Sequence, residues 1–378
     1  MNFLQYPKIF ETMISYRINR SRDAFRKRRC KVAVAARMCS RALLLVLLTA
    51  FVSAADGDKL QVGQSMDIMS RYGYLGITMR VVARNESDTS WIFREPTYDV
   101  FANLDPLTVH PRRSAKSGSF NGEFHMEFCD NLRQLKQAYF RDFAFEGLDK
   151  PWQAFTTGWS SPETIARHMG INSSFVHGDY CYVLVRLSRF WDNVKLSRLP
   201  NNVNLLENMA EEIEKIFVGD VASVLMFTRR VGTHYINSFV TGNSLYQVFV
   251  YHKPIYLRIR ERLKTRGIKN LSPVELSNFF SPWYAEHIGQ IQVASGNKTV
   301  KHWATNRLRV HYYIFSYTSL MKIHGDTKLL SDLNGLLQNE ALLQLDLRSL
   351  TPVFKDPVKR EWFNEILDNY LNLLEENS

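Results

Sequence analysis

Few residues in this chain have both the type and the setting to do chemistry. They are His234, inside Gly232-Thr233-His234-Tyr235, a second histidine at His252, and the cysteine pair Cys129 and Cys181. A histidine serves as general base or metal ligand only with partners at short spacing. No His, Cys or carboxylate stands at ligand spacing from His234, and His252 lies well down the apolar run that follows. The sequence also holds no nucleophile elbow, HExxH, phosphate-binding loop or dinucleotide fingerprint. No catalytic residue, metal set or cofactor is therefore expected. The four residues suit a structural corner: Gly232 ends a helix at positive φ, Thr233 and His234 satisfy backbone groups freed there, and Tyr235 starts a strand.

The elements that would hold this corner are legible on both sides. Val221, Val224, Leu225 and Thr228 recur at helical spacing behind Asp220, a suitable N-cap. Tyr235 to Tyr251 is rich in β-branched and aromatic residues, broken only at Gly242. Upstream, Phe124, Met126 and Phe128 alternate with polar residues as in a strand with one buried face, and residues 178–191 read as a long strand. Between them lies a helical insert, with helices expected over residues 131–145 and 162–169. Residues 204–217 form another amphipathic pattern, with Leu206, Met209, Ile213 and Phe217 on its apolar side. A second insert spans residues 253–305, and residues 306–320 return to strand composition. Residues 326–378 read as a leucine-rich helical extension in which Trp362, Ile366, Tyr370 and Leu374 share a face.

The net charge of +11 suggests a polyanionic partner, but its distribution removes that reading. Residues 1–54 hold 11 of the 48 basic and 2 of the 37 acidic residues, so the remainder is close to neutral at +2, and no nucleic-acid partner is expected. Within that leader, residues 42–52 form a short apolar core followed by Ser53, Ala54 and Ala55, the pattern of a secretory signal peptide, with Met38 as a candidate internal start. Export makes a Cys129–Cys181 disulfide the favoured state, worth roughly 4 kcal/mol on the chain-entropy account, with two unlinked buried thiols as the alternative. Sequons at Asn85, Asn172, Asn270 and Asn297 are candidate glycosylation sites, although Pro273 follows the third closely. Arg258, Arg260, Arg262, Lys264, Arg266 and Lys269 form a basic tract that could contact anionic lipid or matrix.

Gly-Thr-His-Tyr at 232–235, with a helix before it, a long strand after it and two helical inserts around it, resembles the membrane attack complex/perforin (MACPF) family. The stretches at 91–100 and 272–297 carry a closer resemblance to the insect Torso-like family. The first resemblance implies an α+β fold: a bent antiparallel sheet flanked by two helical inserts, over residues 59–325. The second implies a secreted, non-lytic factor that enables localised activation of the Torso receptor tyrosine kinase in terminal patterning. Its implied partners are a ligand or receptor of that pathway, and the membrane surface or extracellular matrix and eggshell. The alternative is a membrane-inserting pore-former. Val231 and Val224 stand where that family favours aromatics, and the paired glycines of its bent strand are reduced to Gly242, which should make the strand harder to remodel. In the second insert, Ile255, Leu257 and Ile259 alternate with arginines as a barrel strand would, while Ile255, Ile259 and Leu263 equally fit a helix. A lipid-facing arginine near the midplane would cost about 2 to 4 kcal/mol.

Overall fold

Two long strands, β6 (Tyr180–Leu196) and β7 (His234–His252), run antiparallel along nearly their whole lengths, and the rest of the molecule is arranged on them. The computed structural model describes residues 60–75, 97–102, 104, 106–109, 122–196, 204–267, 270–295, 297–312, 315–337 and 340–378. The leader, the Asn85 sequon, Lys269 and most of the 91–100 stretch lie outside the described residues. The other strands are β1 (Gln64–Met66), β2 (Tyr98–Asp99), β3 (Pro106–Val109), β4 (Glu123–Cys129), β5 (Phe143–Phe145), β8 (His287–Ile288), β9 (Gln292–Ala294), β10 (Arg309–Tyr312), β11 (Phe315–Thr318) and β12 (Ala341–Ser349). The helices are α1 (Leu132–Tyr139), α2 (Gln153–Thr156), α3 (Pro162–Met169), α4 (Glu207–Glu214), α5 (Val221–Val231), α6 (Lys253–Arg266), α7 (Pro273–Phe279), α8 (Lys298–Arg307), α9 (Thr327–Leu336) and α10 (Pro357–Glu376).

On one edge β7 pairs first with β1 and then with β6, which carries β3 and β4 on its far side. The other edge pairs with β12 from His234 to Gly242, then with β9 and β8. Every pairing in the sheet is antiparallel except β5 against β12. Because successive side chains on a strand alternate between faces, the buried residues of β6 and β7 divide between two cores. Tyr182, Leu184, Val248 and Val250 pack with the first insert and α10, while Val183, Val185, Phe249 and Tyr251 pack with the second insert. The inserts thus cover opposite faces. In the first, α1 and α3 begin at the side-chain caps Asn131 and Ser161, and α3 ends at Gly170 in the left-handed conformation.

Three expectations need correction. Residues 143–145 form β5 rather than the end of a helix, since α1 stops at Tyr139. Residues 309–318 form a separate hairpin of β10 with β11, and the strand that joins the main sheet is β12. That strand falls inside the stretch expected to be a helical extension. With Leu342, Leu345 and Leu347 in the core, and Asp58–Ser378 forming one compact unit, residues 326–378 are integral to the fold. In α10 the buried positions are Phe363, Ile366, Leu367, Leu371 and Glu375; Tyr370 is on the exposed side.

Candidate functional site

The Gly-Thr-His corner is a knot of buried polar contacts. Asp220 caps α5 by accepting the Ala222 N–H at 3.0 Å, and the helix ends where Gly232 takes φ +104° and donates its N–H to the Thr228 carbonyl at 2.8 Å. A side chain at Gly232 would meet the Met66 backbone, with its carbonyl carbon 2.6 Å from the new Cβ. Conformation and contact therefore both demand glycine.

Thr233 and His234 use the space so gained. The Thr233 N–H donates to the Met66 carbonyl at 2.9 Å, its hydroxyl accepts the Ile68 N–H at 3.2 Å, and its carbonyl accepts the Leu350 N–H at 3.1 Å. His234 is fully buried between them: Nε2 donates to the Glu146 carbonyl at 2.8 Å, and Nδ1 accepts from the Thr233 hydroxyl at 2.9 Å. That pairing assigns the neutral tautomer, and burial pushes the imidazole down to about 4. The Glu146 carboxylate in turn accepts the Ser349 N–H at 2.9 Å. A neutral imidazole with both nitrogens engaged and no solvent contact has no lone pair for a substrate or a metal. Its role is to join β1, β7, β12 and the turn after β5. Tyr235 completes the corner with its ring edge-to-face on Phe101 at 5.4 Å.

Gly242 marks the next discontinuity in β7. An added Cβ there would lie 2.1 Å from the Arg189 carbonyl oxygen. Register shifts fall beside it on both neighbours, between Phe190 and Asn193 and between Leu342 and Gln344, and at this point the outer partner changes from β12 to β9. Bulges bend and twist a strand, so the glycine stands where the sheet turns.

Sequence reasoning missed Gln247, five residues on. It is 1% exposed, and its side-chain amide donates to the Gly289 carbonyl at 2.7 Å and the Thr318 carbonyl at 2.8 Å while accepting the Leu320 N–H at 2.7 Å. One side chain thus fastens the face of β7 to two separate segments of the second insert region. The signal was the one amide in the apolar and aromatic run from Leu245 to Tyr251, whose partners lie dozens of residues away.

Other candidates are dispersed. Cys129 and Cys181 are both buried free thiols. Cys129 sits opposite Tyr182 in the β4–β6 register, so Cys181, one residue earlier, points to the other face and into the other core. Side chains that diverge across a sheet cannot be bridged, and this overturns the expected disulfide. Burial pushes the Cys129 thiol up to about 12 and raises that of Cys181. The basic tract is split around α6: Arg260 pairs with Asp130 at 3.0 Å, whereas Arg262 and Arg266 pair with Glu275 at 3.0 and 3.9 Å. Arg258 and Lys264 are exposed. Of the described sequons, Asn270 and Asn297 commit their amide nitrogens to the Arg266 and Leu336 carbonyls, at 2.7 and 2.9 Å. The exposed Asn172 uses only its oxygen, which accepts from Ser174. Among the described residues no group of three or more His, Cys, Asp or Glu is placed to hold a metal ion, and no helix is long and apolar enough to cross a membrane.

No family model and no curated protein matches the chain. Solved structures do. GNIP1Aa from Chromobacterium piscinae aligns at 10% identity and TM-score 0.46, over 83% of this chain and 57% of that one. A putative cell invasion protein with a MAC/perforin domain from Bacteroides thetaiotaomicron aligns at 10% identity and TM-score 0.38, over 82% of this chain and 60% of that one. Astrotactin-2, described as a vertebrate-specific, perforin-like membrane protein involved in neuronal development, aligns at 13% identity and TM-score 0.33, over 80% and 98%. The fold is α+β with perforin-like neighbours. The chain spans 57% and 60% of the length of the first two.

Proposed function

We propose that this chain is a secreted, non-lytic, perforin-like factor that enables localised extracellular activation of the Torso receptor tyrosine kinase pathway in terminal patterning and development. The observation that carries the non-lytic part is the state of the second insert. Helix α6 buries Tyr256, Ile259 and Leu263 in the second core and exposes Leu257, so a lipid-facing strand through Ile255, Leu257 and Ile259 would have to undo that packing. Gln247 and the core around Phe249 and Tyr251 hold that region against the sheet. Spreading it into a hairpin would strand buried polar groups, and the apolar alternation of Ile255, Leu257 and Ile259 breaks at Glu261, which would fall on the lipid-facing side.

The reading assigns no catalytic residue, because the corner histidine is neutral, saturated and sealed. Its partners are a ligand or receptor of the Torso pathway, and its location is extracellular, at the plasma membrane surface or the matrix, after removal of the leader. Resemblance of the sequence to the Torso-like family supports this assignment, and the exposed Asn172 amide suits a glycoprotein. The alternative is a membrane-inserting pore-former, supported by the glycine at the turn of β7 and by two inserts that flank the sheet.

Two measurements separate the readings. Purified secreted protein added to dye-loaded liposomes should cause no leakage and form no rings by electron microscopy; leakage with rings would establish the pore-former. In embryos, loss of the gene should abolish terminal structures, and normal termini would refute the signalling role.

A further inference from the structure

Helix α5, which leads into the corner, has an apolar outward face. Val221 is 40% and Met226 53% exposed, with Ala222 exposed and Leu225 half-buried beside them. The preceding turn continues the stripe with Phe217 at 66% and Val218 at 51% exposure. From sequence Phe217 belongs on the buried side of the helix before it, but α4 stops at Glu214, so the ring is turned outward. The turn is clamped rather than loose. Buried Ser223 accepts the Phe217 N–H at 3.1 Å and donates to the Asp220 carbonyl at 2.7 Å, while the Asp220 N–H donates to the Phe217 carbonyl at 3.1 Å. Holding large apolar side chains out on an ordered frame lowers the entropy lost on association.

Charge on this face has a definite polarity. Asp220 stands at the N-terminal end of α5 and Arg229 at its C-terminal end, both exposed; among the described residues neither has an oppositely charged atom within 4 Å, and the acid that feels the Arg229 charge is Asp67. Arg230 and Lys215 are already occupied by Glu212, at 3.4 and 2.5 Å.

We propose that this face is a two-fold interface between two copies of the chain, with their α5 helices packed antiparallel. A patch with an acid at one end, a base at the other and apolar residues between is complementary to itself when rotated by half a turn, the condition for an isologous dimer. Antiparallel docking sets Arg229 of each copy beside Asp220 of the other across a helix of about 16 Å. Phe217, Val218, Val221 and Met226 together expose on the order of 400 Å², the size of the largest patch on typical monomers. Two such patches with their polar rims reach about 1,000 Å², the lower bound for a specific interface, so the dimer is weak, with a Kd of roughly micromolar magnitude. An anionic bilayer is the poorer occupant, since Glu207 and Glu211 are exposed on neighbouring α4. A closed two-fold pair also cannot propagate into a ring through this face.

Sedimentation equilibrium of the secreted full chain tests this. A monomer–dimer equilibrium is expected, with Met226→Glu raising Kd at least tenfold and Val358→Glu, at a 58% exposed apolar position on α10, leaving it unchanged. Asp220→Asn keeps a capping side chain while removing the charge; it should raise Kd several-fold and flatten its salt dependence. Thermal melts matching wild type show that each variant folds. The proposal is overturned by a monomer at concentrations on the order of 100 µM, by a dimer that Met226→Glu leaves intact, or by vesicle binding that needs Phe217 while the protein stays monomeric.

Discussion

Replacing Gln247 by Leu tests whether one buried amide fastens the second insert region to the sheet. The substitution is nearly volume-conserving, so its main effect is to strip partners from the Gly289 and Thr318 carbonyls and the Leu320 N–H, now bonded at 2.7, 2.8 and 2.7 Å. Each buried group left unsatisfied costs about 1–3 kcal/mol, and the new methyl groups recover part of that, so a net loss of about 3–5 kcal/mol is expected. Against a typical total of roughly 5–15 kcal/mol, this is a large fraction. Urea denaturation would read the global loss, and native-state hydrogen exchange would locate it in β8, β9 and residues 315–323. Gln247→Glu should be at least as damaging, because it turns a donor to two carbonyls into an acceptor. A loss under 1 kcal/mol for Gln247→Leu, with unchanged exchange in those segments, would refute the fastening role. Leakage of liposomes by the loosened variant but not by wild type would show that insert attachment is what prevents lysis.

Gly232→Ala should destabilise by at least about 3 kcal/mol, since alanine pays for φ +104° and meets the Met66 backbone; a melt within a degree of wild type would contradict the corner geometry. His234 titrates near 4 when folded and near 6.5 when unfolded, so the unfolded chain binds more protons between those values. Stability should be full above about pH 6.5 and fall by about 3 kcal/mol as pH drops to 4, a slope that His234→Gln removes, as read by urea midpoints across that range. Cys129 and Cys181 should both react with a thiol reagent after unfolding without reductant and neither in the native state, counted by intact mass; a cross-linked pair would overturn the divergent register.

The main organisation was legible in the chain. Periodicity located α5, β7, β6 and α3 to within a few residues, because each is a long or well-capped element whose local signals agree. The corner could be read as structural because His234 had no partner at ligand spacing. Boundaries failed where local pattern and tertiary use diverge. Leu342, Leu345 and Leu347 look helical in a leucine-rich stretch, yet β7 offers an open edge below Gly242, and pairing with it satisfies backbone groups that no local interaction could.

What the sequence determined by itself, then, is the set of elements and the glycines that must punctuate them. Only the tertiary structure decided that Cys129 and Cys181 face opposite cores, that the basic tract is divided around α6, and that Phe217 stands outside. Each depends on register or on where a helix stops, and a shift of one residue reverses the face that a side chain presents. The partners of His234 and Gln247 were likewise beyond local reading, since the contacts joining them to Glu146, Gly289 and Thr318 span 88, 42 and 71 residues.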